Sequence, residues 1–191
     1  MLSHLRPAVS MILIFTAVTG VAYPLAVTGA AQALFPTAAN GSLIEKNGAV
    51  VGSSLIAQPF AGPGYLHPRA SASGWNAAGT GATNLGPTSA ALIAQTAEAR
   101  AAWEALNGAP APIDAVTTSG SGLDPHISPE SAFGQIERIA LARGADPFAV
   151  RELITAHVEA PVLGLYGLAR VNVLETNLAL DAVFPIAPAT P

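Results

Sequence analysis

The chain has 191 residues, twelve acidic against eight basic, no cysteine, and a net charge of −4. The lack of cysteine rules out a disulfide framework and a thiolate metal site. Beyond the first seven residues seven cations, a single lysine among them, face all twelve acids. That balance excludes the basic footprint of a nucleic-acid binder and a polybasic grip on anionic lipid.

The N-terminal part is different in kind. From Pro7 to Ile44 there is no Asp, Glu, Lys or Arg, and Ala8 to Leu34 is almost unbroken apolar sequence. About 20 apolar residues cross a bilayer as a helix. A cleaved secretory signal would use His4 and Arg6 as its basic start and Ala31-Gln32-Ala33 as its cleavage site, but its apolar region would be only about 7–15 residues long. A retained anchor is the expectation. Thr16, Thr19, Gly20, Tyr23, Pro24, Thr28 and Gly29 interrupt the run, and small and hydroxyl residues of this kind let another helix approach closely. Pro24 removes a backbone donor and marks a kink.

Arg6, the amino terminus and His4 precede the span, while Glu45 and Lys46 cancel after it. The positive-inside tendency then keeps the N-terminus in the cytoplasm. The expected organisation is a short cytoplasmic N-terminus over residues 1–7, a transmembrane helix over 8–34, one extracytoplasmic α+β domain over 40–184 and a Pro-rich, frayed tail over 185–191.

Within the domain, Asn47-Gly48 between apolar runs is a hairpin signature, because both turn positions want positive φ. Ser54 to Ile56 reads as a third strand. From Pro59 to Pro87 no period survives, and Tyr65, Trp75 and Leu85 are the anchors of an ordered excursion. Thr88 or Ser89 caps a helix running to Asn107-Gly108, with Leu92, Ile93, Thr96, Ala99, Trp103 and Leu106 on one side. Ile113 to Thr118 reads as a short strand. Ser128-Pro129-Glu130 starts a helix that buries Phe133, Ile136 and Ile139 or Ala140 and stops at Gly144. Asp146-Pro147 starts another, through Leu153, Ile154 and His157. Val171 and Val173 alternate in a last strand before a short helix around Leu178–Phe184. Strands alternating with helices give an α+β class.

The densest polar cluster is Ser119-Gly-Ser-Gly-Leu-Asp-Pro-His-Ile-Ser128. A hydrolase would use Ser119 or Ser121 as nucleophile, His126 as base and Asp124 as orienting acid. The G-x-S-x-G elbow is absent, and triad members normally arrive from separate elements. A rigid turn feeding a capped helix is the expected reading. His67, His126 and His157 lack the spacing that puts two ligands on one helical face, so no metal site is expected. Gly79 to Gly86 is glycine-rich but lacks the Gly-Lys-Ser/Thr ending of a phosphate cradle, and the sole lysine is Lys46. Gly164-Leu-Tyr-Gly167 resembles a potassium filter only superficially, since one spanning helix builds no pore. An anchored hydrolase, or a solute-binding module using Pro59 to Pro87, are the competing functions.

Several ordered segments resemble one family. Arg6-Pro7, Thr19-Gly-Val-Ala-Tyr-Pro24, Thr28-Gly29, Asn40-Gly-Ser42, Val51-Gly-Ser53, Asn84-Leu-Gly-Pro-Thr88, Ser119 through Pro129, and Arg170-Val-Asn-Val-Leu174 with Asn177-Leu-Ala-Leu-Asp181 look like the C subunit of the bacterial Kdp potassium-transporting P-type ATPase. The resemblance implies a non-catalytic subunit in the bacterial plasma (inner) membrane. Its partners would be a potassium-translocating A subunit, an ATP-hydrolysing B subunit and a small F subunit, with membrane lipid around the helix. Potassium would be the transported ion, ATP would act through the complex, and no cofactor is expected on this chain. The phosphorylated motif Asp-Lys-Thr-Gly-Thr is missing.

The family is also described as a catalytic chaperone that raises the ATP affinity of the hydrolytic subunit through a segment ending Leu-Ile-Gly-Gln. Here that segment ends Leu55-Ile-Ala-Gln58, so the glutamine is kept and Ala57 replaces glycine. With the domain outside and ATP inside, Gln58 is expected to act indirectly, by biasing conformations of the pump. The motif residues carried over as structural or interface positions are Asn84, Gly86, Pro87, Gly122, Asp124, Pro125, His126 and Ser128.

Overall fold

The computed structural model describes residues 2–186, so Met1 and most of the expected tail, 187–191, lie outside the described residues. The chain forms two compact units that divide between Leu43 and Ile44. The first contains α1 (Leu2–Ala17), a π-helical turn (Val18–Ala22), α2 (Tyr23–Leu34) and a single turn, α3 (Pro36–Ala39). The candidate span, His4–Leu34, covers 31 residues and stands exposed all round. A helix that is apolar on every face is suited to lipid or to other membrane helices.

Pro24 explains the π turn. A proline ring presses on the carbonyl four residues earlier and offers no N–H to it. Here the Tyr23 N–H reaches back five residues to Val18 O, and backbone angles stay helical at Ala17 (φ −64°) and Tyr23 (φ −65°). Thr19 Oγ1 donates to Phe15 O at 2.6 Å across the same region. The helix therefore runs on through the proline by widening one turn.

The second unit is mixed α+β. Strands β1 (Leu43–Lys46) and β2 (Ala49–Ser53) form a hairpin whose turn residues, Asn47 and Gly48, both take positive φ, 55° and 78°. Then come α4 (Ala90–Asn107), α5 (Ile113–Val116), β3 (His126–Ile127), α6 (Pro129–Gly134), α7 (Ile136–Arg143), α8 (Pro147–Ala156), β4 (Val158–Glu159), β5 (Arg170–Asn172) and α9 (Val173–Val183). The last three strands make an antiparallel sheet in the order β3-β5-β4, with Ile127 and Val158 both opposite Val171. Leu66, Ile136, Ile139, Val150, Ile154, Val171 and Leu180 form the buried core. Each such side chain contributes about 1.5–3 kcal/mol by leaving water.

Several elements differ from the expectation. Ser54–Ile56 is a turn, because the Leu55 N–H bonds Ser53 Oγ and the Ile56 N–H bonds Ser53 O. Ile113–Val116 is one helical turn, because Asp114 is needed to accept from the N–H and Oγ of Ser128, at 2.7 and 2.8 Å. Val173 starts α9 rather than extending the strand, since Asn172 caps that helix through the Glu175 N–H. The helix after Ser128 breaks at Gln135, and α4 leaves Ile93 and Leu106 exposed while Asn107 is buried.

The excursion from Pro59 to Pro87 has no helix or strand, yet its backbone is paired. Asn177 Oδ1 accepts from the Leu66 N–H at 2.7 Å and Asn177 Nδ2 donates to Leu66 O at 3.0 Å. Gln135 does the same for His67, accepting at 2.8 Å and donating at 3.3 Å. Two amide side chains thus act as a partner strand would. Arg138 completes the arrangement by donating to Pro63 O, Tyr65 O, Asn107 Oδ1 and Gln135 Oε1. All of these acceptors are neutral, and burial lowers the Arg138 pKa from its usual value to about 10, which still leaves it charged near neutral pH.

Asn177→Leu keeps the volume and strands both polar groups of Leu66. An unpaired buried backbone group costs about 1–3 kcal/mol. The expected loss is about 3 kcal/mol, or roughly 6–12 °C in the unfolding midpoint of the detergent-purified chain.

Candidate functional site

The polar cluster expected from the sequence is assembled by two segments. Ser119 N–H donates to Ala70 O, Gly81 N–H to Ser121 O and Ala57 N–H to Leu123 O, so the turn is fastened on three sides. Ser71 Oγ and Ser73 Oγ both donate to Gly122 O, at 2.6 and 3.3 Å. Gly122 has φ +70°, and a Cβ there would lie 2.9 Å from Gly81 O and overlap Ser73 Oγ. Only glycine fits both the angle and the space.

From this turn the chain enters Asp124-Pro125-His126. Asp124 Oδ1 accepts from the His126 N–H at 3.0 Å, and Oδ2 accepts from Arg69 Nη1 at 3.1 Å. Pro125 O accepts from the Val173 N–H. The His126 ring sits between carboxylates, Nδ1 3.8 Å from Asp124 and Nε2 3.8 Å from Glu159, too far for a hydrogen bond to either. Glu159 is paired with Arg170 at 2.8 Å. Ser128 Oγ donates to Asp114 and caps α6 through the Ser131 N–H. Arg69, Asp114, Asp124, His126, Ser128 and Arg170 border a shallow cleft of about 360 Å³.

The hydrolase arrangement is not made. Ser121 Oγ accepts from the Leu123 N–H, and among the described residues no serine–imidazole hydrogen bond joins it or Ser119 to His126. Nucleophile and base need that bond. Both arginines face carboxylates, so charge is closed within the cleft. Asn84 takes φ 55° with its amide on Ala82 O, Gly86 O accepts from the Ser89 N–H at the start of α4, and Pro87 borders that helix. These three residues lie in a separate turn.

Gln58 belongs to a second cleft of about 330 Å³, bordered by Lys46, Val51, Phe60, Tyr65, Asn177 and Asp181. Its Nε2 donates to Val51 O at 2.8 Å, and its amide lies flat on Gly52, where a Cβ would overlap it. Lys46 is spent on Asp181 at 3.2 Å, and Arg143 reaches the same carboxylate at 3.1 Å. Burial opposes ionisation of Asp181, but hydrogen bonds from Arg143, Lys46 and Tyr65 outweigh it and hold the carboxyl below its usual range. Both cations are thus committed to an internal carboxylate and are not held free for a phosphate.

The other two histidines of the domain, His67 and His157, are apart from these. His157 Nδ1 donates to Leu153 O at 2.8 Å at the end of α8. His67 Nε2 donates to Gly62 O at 3.1 Å. Sequence reasoning passed over Arg69, Gln135 and Arg138 and took up Asn177 only within the family resemblance; their signal was polar side chains standing where a helix face or a loop needed a partner.

Burial, and then the charge of Arg138, lower the His67 pKa below its usual 6.5, against a smaller opposing effect of the Gly62 bond. The folded state therefore binds this proton less readily than the unfolded chain. Stability is fully present above about pH 6.5 and is lost as the pH falls towards the depressed folded value. His67→Gln should flatten the denaturation midpoint of the purified chain between about pH 7 and 5, while wild type declines over that window.

The comparisons agree with one another. The family described as K+-transporting ATPase, c chain, matches residues 5–182. A relative from Cereibacter sphaeroides named "Potassium-transporting ATPase KdpC subunit" is 66% identical over 182 residues, covering 95% of this chain and 98% of its own. Relatives of the same name from Caulobacter vibrioides and Rhodopseudomonas palustris are 53% and 51% identical, over 97% of this chain and 96% and 100% of theirs. The chain belongs to the KdpC family, the c chains of the K+-transporting ATPase.

Proposed function

We propose that this chain is the non-catalytic subunit of a high-affinity, ATP-driven potassium uptake pump. Its single N-terminal helix holds it in the bacterial plasma (inner) membrane, with the N-terminus cytoplasmic and the domain outside. The observation that carries the reading is the family match across residues 5–182, which includes both the apolar helix and the domain. The geometry supports it, because Ser121 Oγ and the Asp124 carboxylate are both engaged by backbone N–H groups of their own turn. The partners are a potassium-translocating subunit, an ATP-hydrolysing subunit and a small fourth peptide. Potassium is the cargo and ATP acts on the hydrolytic partner.

The subunit acts as a catalytic chaperone at a distance, raising the ATP affinity of the hydrolytic subunit by favouring one conformation of the pump. Gln58 serves this through the hairpin it clamps. The test is purification of the chain from detergent. Wild type should bring a channel-like subunit and a P-type subunit with it, and recovery of the chain alone would overturn the reading.

Two outcomes follow. Calorimetry of the isolated chain with a nucleotide analogue should show no saturable binding, and Gln58→Ala should change apparent ATP affinity only in the assembled pump. Saturable binding that vanishes in Gln58→Ala would restore direct nucleotide contact. Protease added to intact spheroplasts should digest the domain and spare the helix; a protected domain would reverse the orientation.

A further inference from the structure

Between β4 and β5 the chain runs Ala160-Pro-Val-Leu-Gly-Leu-Tyr-Gly-Leu-Ala169 without a charged residue. It closes on itself as a hairpin tip. Val162 N–H donates to Tyr166 O at 2.9 Å, Tyr166 N–H returns to Val162 O at 3.0 Å, and Gly164 N–H bonds Pro161 O at 2.9 Å. These bonds close the tip, and the side chains stand out. Val162, Leu163, Leu165, Tyr166 and Leu168 are 62%, 84%, 79%, 69% and 86% exposed. Five such neighbours present an apolar patch on the order of several hundred Å², as large as the largest found on ordinary monomers and often functional there.

The tip is also strained at one residue. Leu163 has φ +55°, in the left-handed region, beside Gly164 at +69°. A leucine there is disfavoured by its Cβ, and glycine would make the same turn freely. The fold keeps a large apolar side chain at a position that resists it and aims it at solvent. A preformed, rigid shape of this kind lowers the ordering cost of binding to a matching surface.

The chemistry of the flanks selects the occupant. Insertion into lipid asks for apolar area without a fixed shape, and is strengthened by cations facing the headgroups. Here the flanking charges, Glu159 and Arg170, neutralise each other at 2.8 Å. A standard protein interface takes about 800 Å² from each partner, with an apolar, aromatic centre and little charge in it. The tip supplies such a centre. The geometry points to the Val162–Leu168 tip as a docking knob that seats in an uncharged apolar socket on a membrane-embedded subunit of the same pump. This rests on the reading of the chain as a pump subunit.

The test uses the assembled complex with a photo-crosslinking amino acid at Leu165 and, as a control, at Leu141, which is equally exposed on α7. Leu165 should link to a polytopic subunit and Leu141 should not. Links from Leu165 only to lipid or to this chain itself, or equal labelling from Leu141, would overturn the docking knob. In parallel, Leu165→Ser with Tyr166→Ser should cut the fraction of chain retained by the complex roughly tenfold, as loss of an interface centre does, with the unfolding midpoint of the chain unmoved. Leu163→Gly relieves the strained turn, so it should raise that midpoint and still weaken retention. Undiminished retention in both variants would refute the knob and leave the pump-subunit reading standing. Failure of wild type to be retained at all would remove both.

Discussion

A buried guanidinium whose four hydrogen-bond acceptors are all neutral holds the domain together. Arg138 donates to two carbonyls of the excursion, to Asn107 at the end of α4 and to Gln135 at the α6–α7 break. Removing a charge from water is expensive, and hydrogen bonds to neutral oxygens return only part of that expense. The arrangement persists because each bond also satisfies a backbone or amide group that has few alternatives. Without the cation and the amides of Gln135 and Asn177, the segment around Leu66 would lose the ladder that lets it lie in the core. Ordering a long segment without secondary structure has a large entropic cost, and here side chains meet it.

The same constraint explains why the Ser119–Ser128 region looks like chemistry. The excursion continues from Leu66 into Arg69, Ser71 and Ser73, and these residues bond Asp124 and Gly122 O. Serines, an aspartate and a histidine collect where two irregular segments must pair their backbones. Clusters of short polar side chains with glycine are the usual means for that. The distance from the His126 ring to each neighbouring carboxylate, 3.8 Å, fits a groove wall better than a proton relay.

What was legible in the sequence was local. The uncharged run, the Asn47-Gly48 turn and the Ser128 and Asp146 caps are set by neighbouring residues, and each stands where the pattern put it. What failed was decided at a distance. Ile113–Val116 has β-branched ends that favour a strand, but the reach of Asp114 to Ser128 wins and makes a helical turn. Nothing within a few positions of Asn177 tells that it pairs with Leu66, 111 residues earlier. Gly164-Leu-Tyr-Gly167 read only as a superficial likeness to a potassium filter; its place at a hairpin tip with outward leucines follows from the closed Val162–Tyr166 pairing.

These features give the two faces of the domain opposite characters. Inside, buried polar side chains such as Gln135, Arg138 and Asn177 are bonded to backbone and amide groups of other segments. Outside, the Val162–Leu168 tip presents apolar area that the domain's own core does not take up. A subunit of this kind affects a reaction only through the states of the protein it touches, and only as far as its grip differs between those states. A flexible loop would follow its partner through each conformation and favour none. A closed hairpin with a left-handed leucine offers one preformed shape, which is what the proposed docking would need in order to favour one state of a partner over another.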